Sequence, residues 1–149
     1  MKKHFIVLVL FVLGIVLFYV LVKDSTILYG FEDNVQEDKI NNVLKTFDSN
    51  GLNPVCDDQV RLDVLRGNSK YYKLTNGEWI NVYTYDAAGL MYDDYHSISE
   101  DGYDILGVEY EWVSTPHFYL CGDLIIQYIG TNTEVLEVLD GLGDEITGR

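Results

Sequence analysis

The chain carries three histidines, two cysteines and 24 acidic residues, and these are the side chains that could do chemistry. His117 is the first to weigh. On an extended strand His117, Tyr119 and Cys121 share one face, and a Cys–His pair is a nucleophile with its base. Residues four apart on a strand stand about 13 Å from each other, however, and no Asn or Asp is evident to orient the ring. His117 follows Pro116 and reads instead as a structural ring that satisfies nearby backbone groups and packs beside Tyr119 or Trp112. His96 lies in an acidic stretch and His4 abuts an apolar run, and neither has a metal-ligating partner at useful spacing. The carboxylates gather as Asp57, Asp58 and Asp63, and as Asp93, Asp94, Glu100, Asp101 and Asp104. Any two brought together could act as acid and base or hold a divalent cation; as a pattern they read as a solvated acidic face. Asp48-Ser49-Asn50-Gly51 opens like a calcium loop but lacks the acidic ligands that should follow. Neither a Gly-x-Ser-x-Gly elbow nor a glycine-rich phosphate loop occurs, so no metal and no cofactor is expected.

Cys56 and Cys121 are too few for a zinc site or a disulfide framework. In an oxidising compartment they could pair, which would stabilise by about 4 kcal/mol in the chain-entropy model, or they could be two buried small hydrophobes. The aromatic residues say more. Both tryptophans and all tyrosines but Tyr19 lie beyond residue 22. Along 78–85, Trp79, Tyr83 and Tyr85 share a face while Ile80 and Val82 take the other. With Trp112 and Tyr119 they form the candidate binding face. Left open, such a face suits sugar rings, peptides or a protein partner; covered, it is core.

The element that must position all of these is the run Phe5–Val22, eighteen residues without a charge. As a helix it spans about 27 Å, enough to cross a hydrocarbon core of about 30 Å. Lys2 and Lys3 precede it, while Lys23 and Asp24 nearly cancel after it, so the positive-inside rule keeps the N-terminus cytoplasmic. A cleaved signal peptide is the rival reading, but its apolar region is normally about 7–15 residues, and Phe18 to Lys23 offers no Ala-x-Ala-like site. The expected organisation is a cytoplasmic stub over 1–4, a single-pass anchor over 5–22, a tether over 23–33, and one extracytoplasmic domain over 34–149. Without Lys2, Lys3 and Lys23, seven basic residues face 24 acidic ones, a net charge of −17 outside the bilayer. That excludes nucleic acid and anionic headgroups as charge-driven partners.

Within the domain, Asn34 and Glu37 fit a capping box, and Val35, Ile40, Val43, Leu44 and Phe47 make a helical stripe ended by Asn50-Gly51. Period-two alternation follows at Val60, Leu62 and Val64, at 70–74 and at 78–85. A second helix runs from Asp86 through Ser97. Val108, Tyr110 and Trp112 predict a half-buried strand; a hairpin joins 117–120 to 124–129; and Thr131 with Glu134 caps a last helix buried through Val135, Leu136, Leu139 and Leu142. Gly77-Glu-Trp-Ile-Asn-Val-Tyr83 lies over Gly122-Asp-Leu-Ile-Ile-Gln-Tyr128 at a spacing of 45, each segment followed by a helix. The expected fold is therefore α+β, a mainly antiparallel sheet with a ββα–ββα-like core and its helices on one face.

Three segments carry a family resemblance: Gly77–Asp86, Ile98-Ser-Glu-Asp-Gly102, and Trp112-Val-Ser-Thr-Pro-His-Phe-Tyr119 running into Gly122-Asp-Leu-Ile-Ile-Gln-Tyr-Ile-Gly130 and Leu142-Gly143. Over roughly its second half the chain resembles a group of small, functionally undescribed exported bacterial proteins, many of them lipoproteins. It departs from them in lacking a lipobox cysteine and in having Cys121 where they tend to have a basic residue. The resemblance implies an extracytoplasmic domain held at a membrane and no particular activity. The expected role is a non-enzymatic module for a protein or cell-envelope component. The alternative is an extracytoplasmic hydrolase using a carboxylate pair or His117.

Overall fold

Four six-residue strands, Asn68–Lys73 (β2), Trp79–Thr84 (β3), Pro116–Cys121 (β6) and Leu124–Ile129 (β7), form the frame of the domain. In the computed structural model, which describes residues 35–57, 59 and 62–148, they are joined by the two-residue edges Val55–Cys56 (β1) and Asp144–Glu145 (β8). The sheet order is β1-β2-β3-β7-β6-β8, with every neighbour antiparallel. Gly77 and Gly122 make the β2–β3 and β6–β7 turns possible, with φ of +86° and +67°. The two hairpins meet along β3 and β7, where Ile80 faces Tyr128 and Tyr83 faces Ile125.

A helix over 35–49 (α1) buries Ile40, Val43 and Phe47, whereas Val35 is exposed at its start; Gly51, at φ +77°, releases the chain. The helix Thr133–Leu142 (α3) buries Val135, Val138 and Leu139. Both pack with Ile80, Val82, Ile126 and Tyr128 on one face of the sheet. The helix Ala88–Ser97 (α2) lies on the other. Its Leu90, Met91 and Tyr95 surround Tyr83, Tyr85, Phe118 and Ile125, beside a ribbon of Asp104–Ile105 (β4) and Val108–Glu109 (β5). The α+β class and the antiparallel sheet are as expected; helices on a single face are not. β3 and β7 are apolar at both parities, so both faces need a cover. An offset of 45 is also odd, so the equated Tyr83 and Tyr128 point to opposite sides of the pleat, and the repeat does not extend to the helices.

A buried carboxylate ties α2 to the rest. Asp94 is fully buried, and it accepts from the Arg66 backbone N–H at 2.7 Å, from Arg66 Nε at 2.6 Å and from the Tyr85 hydroxyl at 3.0 Å. Its two oxygens are thus well supplied with donors, which is the condition for keeping such a charge inside.

Other expectations shift locally. Residues 62–64 are not a strand; Leu62 and Val64 are tied by backbone N–H groups to the hydroxyls of Tyr71 and Tyr83 at 2.7 and 3.2 Å. Only Val108–Glu109 of the segment 108–112 is strand, in the small ribbon rather than the main sheet. α3 is capped by Asn132, which accepts from Glu134 N–H at 2.9 Å, and not by Thr131. The strand β8 had no periodic signal. It forms because Gly143 lets the chain leave α3 hard against β6, where a Cβ would run into the Leu120 carbonyl oxygen.

The cysteines do not bridge. Cys56 is exposed on β1 and Cys121 is buried on β6, four strand intervals away. At about 4.8 Å per interval that is roughly 19 Å, against about 7 Å for the widest disulfide. The anchor over 5–22 and the tether over 23–33 lie outside the described residues; among those described, no helix is long and apolar enough to cross a membrane.

Candidate functional site

The layer of α2, β4 and β5 covers only part of its sheet face. Tyr83, Phe118 and Ile125 lie under it; farther along the same strands, Trp79, Asn81, Gln127 and Ile129 line an apolar cleft of about 460 Å³. That volume is within the range of small-ligand sites. Register builds the floor: Tyr71 stands opposite Asn81, and Asn81 opposite Gln127, in one row across β2, β3 and β7. Glu111, Trp112 and Val113, in the link from β5 to β6, line the cleft as well, as does Leu62.

The walls are held before any ligand arrives. The Trp112 indole donates from Nε1 to the Gly102 carbonyl at 2.9 Å and stacks on Tyr110 at 5.2 Å and 12°. Lys73 Nζ sits 5.4 Å from the centroid of the Trp79 ring, a cation–π contact from its cross-strand neighbour. The Tyr71 hydroxyl donates to the Leu62 carbonyl at 2.5 Å and so fixes that rim. Burial raises the Tyr71 phenol above its ordinary value, keeping it a donor at neutral pH.

Asn81 is the anomaly. It is 2 % exposed, and neither its Nδ2 nor its Oδ1 has a hydrogen-bond partner. A buried polar group in that condition costs about 1–3 kcal/mol per group, and native chains rarely keep one without a reason. The neighbouring Gln127, also buried, has its Oε1 engaged by the Tyr83 hydroxyl at 3.3 Å. Asn81 thus lies in the cleft floor with both a donor and an acceptor unused, on a cleft that Trp79 and Trp112 also line.

Of the five aromatic residues expected to form a binding face, Trp79 and Trp112 line the cleft. Tyr83 and Tyr85 are buried on the same side of the sheet under α2. Tyr119 is buried on the opposite face, where its hydroxyl donates to Asp140 at 2.9 Å. Burial is the main cause that pushes all three phenols well up. His117 is not in the cleft. Its Nδ1 lies 2.7 Å from Glu145 Oε1, its ring stacks with Tyr128 at 6.0 Å, and the same Glu145 oxygen accepts from Thr147 at 2.9 Å. Its partner is a carboxylate from β8 rather than the backbone, and the ring it packs on is Tyr128 rather than Tyr119 or Trp112. Burial pushes the Cys121 thiol up to about 11, so it is not a nucleophile at neutral pH.

The acidic groups are dispersed into local bonds. Asp63 accepts from the Ser69 hydroxyl, and Asp93 and Asp94 share Arg66. Asp101 is held below the ordinary carboxylate range by the Ser99 hydroxyl and then by the Tyr103 N–H. Asp104 accepts from Gly107 N–H at 3.2 Å, and Asp58 lies outside the described residues. Among the described residues no three His, Cys, Asp or Glu side chains converge as metal ligands would.

Compared with family models, curated proteins and solved structures, the chain matches none. The site therefore rests on its own geometry. Tyr71, Asn81 and Gln127 had a faint signal in the sequence. Asn81 and Gln127 interrupt Ile80–Val82 and Ile126–Tyr128, polar residues in otherwise apolar strands.

Proposed function

We propose that this chain is a membrane-held binding module whose ligand enters the cleft between Trp79 and Trp112 and pairs with Asn81. The observation that carries the reading is the Asn81 amide, buried at the cleft floor with both polar atoms unpartnered. A ligand that supplies the missing donor and acceptor removes a cost the free domain carries. The location rests on the charge-free run Phe5–Val22, on Lys2 and Lys3 before it, and on the resemblance to exported bacterial proteins. It makes the ligand a protein or cell-envelope component outside the membrane.

The hydrolase alternative gains no support from the site. Among the described residues two acidic ones line the cleft, but Glu78 accepts from the Tyr128 hydroxyl at 3.0 Å and from Asn76 Nδ2 at 2.7 Å, so both its oxygens are engaged. Only Glu111 is left, and His117 stands on the other face with Tyr119 and Tyr128.

Site-specific photo-crosslinking in intact cells tests the binding reading. A crosslinker at the fully exposed Val113, on the cleft rim, should trap envelope material; one at Tyr92, exposed on α2, should not. Trp112→Ala should abolish the Val113 product. Equal labelling at the two positions, or none at Val113, would count against the cleft.

A further inference from the structure

We infer that the tip of the β4–β5 ribbon docks into a partner protein, in an apolar pocket bordered by Lys or Arg side chains. The tip is separate from the cleft, which none of Tyr103, Leu106 and Val108 lines. These three are exposed apolar side chains that stand together on the ribbon. Ile105 pairs with Val108, so Leu106 and Gly107 form a two-residue turn, with φ of +56° and +75°. A turn with both central φ positive ordinarily takes Asn or Gly first, because a bulky side chain is strained there. Leu106 is 40 % exposed, so packing within the domain returns little for that strain. The tip is also held firmly. Ile105 is fully buried, the Leu106 N–H donates to the Ser97 carbonyl at 3.3 Å, and the Tyr110 N–H donates to the Tyr103 carbonyl at 2.8 Å. A projection already fixed in shape loses little freedom on docking.

Charge selects what covers it. Asp104 and Glu109 on the ribbon, and Glu100 and Asp101 in the turn leading into it, are all exposed. Asp104 stands directly across from Glu109, and like charges so placed repel. Among the described residues no Lys or Arg is ion-paired with any of the four, and the sequence holds none between Lys73 and Arg149. A partner that brings Lys or Arg beside its apolar pocket relieves that repulsion while it covers Leu106. A bilayer is the rival for an exposed apolar tip, but inserting Leu106 would carry the four carboxylates into the headgroups. A second copy of this chain would set like charge against like over 74–148. A basic protein surface meets both demands.

The probe is the photo-crosslinker benzoylphenylalanine, incorporated in place of the exposed Tyr103 in the full-length chain in intact cells. Irradiation should attach it to a polypeptide, and sequencing the attached fragment should place Lys or Arg beside apolar residues at the crosslink. Leu106→Asn should lower the yield by about fivefold or more, and so should Asp104→Asn combined with Glu109→Gln. In membranes from the same cells, added sodium chloride should lower it too. Leu106→Asn installs the preferred Asn-Gly turn, so this variant should melt about 2–4 °C higher by circular dichroism, and its loss of capture is not a loss of fold. A melting temperature that falls would make Leu106 a structural residue and overturn the inference. A lipid or glycan adduct overturns it, as does a fragment without Lys or Arg at the crosslink. An undiminished yield in Leu106→Asn, a yield indifferent to salt, or no adduct at all does the same.

Discussion

Asn81 and Asp94 are both buried polar side chains, and the contrast between them separates function from structure at the level of single residues. Asp94 receives donors from Arg66 and Tyr85 and holds α2 in place. Asn81 receives none. Replacing Asn81 by Leu, close in size and without polar atoms, should therefore stabilise the domain by about 1–2 kcal/mol while removing ligand binding. Urea unfolding of the detergent-solubilised chain measures this. A midpoint that falls instead of rising would mean that the amide has a structural task.

The arrangement of elements separates the two cysteines and predicts how they react. Cys56, on an exposed edge strand, should be alkylated in the native protein, and Cys121, buried on β6, only after unfolding. Both should be alkylated after unfolding without reductant, and a mass shift for fewer than two would restore the bridge. Much of this layer was legible from the sequence. The hairpins at Gly77 and Gly122, the three helices and the antiparallel frame all follow from period and turn chemistry at 78–85, 124–129 and 133–142. What escaped depends on partners remote in the chain. Nothing near His117 announces Glu145, 28 residues on, and β8 is a strand only because β6 offers it an edge. The sides taken by α2 and α3 were illegible for a related reason. Strands as apolar at odd as at even positions do not say which face a following helix will choose. The cleft was half legible: its tryptophans by alternation, its amide floor only once Asn81 and Gln127 were seen to be opposed.

Across the whole molecule, covering the sheet on both faces buries an unusual number of hydroxyl-bearing rings. Burial is the chief cause that raises the phenols of Tyr71, Tyr83, Tyr85, Tyr119 and Tyr128, the last to about 12, and the Cys121 thiol to about 11. In each case the unfolded chain loses its proton first. The stability these groups contribute is complete below their unfolded values, 9.0 for the thiol and 10.0 for the phenols, and drains away as pH climbs through the folded ones. Unfolding followed by circular dichroism should be independent of these groups below pH 9 or so. It should then steepen toward pH 12, with the buried phenolates appearing in step with the loss of structure. Phenolate absorbance that rises to completion while the fold persists would contradict the burial. The seam between β3 and β7 has a different consequence, one of timing. The β2–β3 hairpin is synthesised first, yet the inner edge of β3 has no ladder partner until β7 emerges, roughly 40 residues of chain later. At about 5–20 residues per second that interval is roughly two to eight seconds, during which an apolar strand with an unpaired edge is offered to any passing chain. A nascent domain of this design would depend on a chaperone or on prompt export to carry it across the gap.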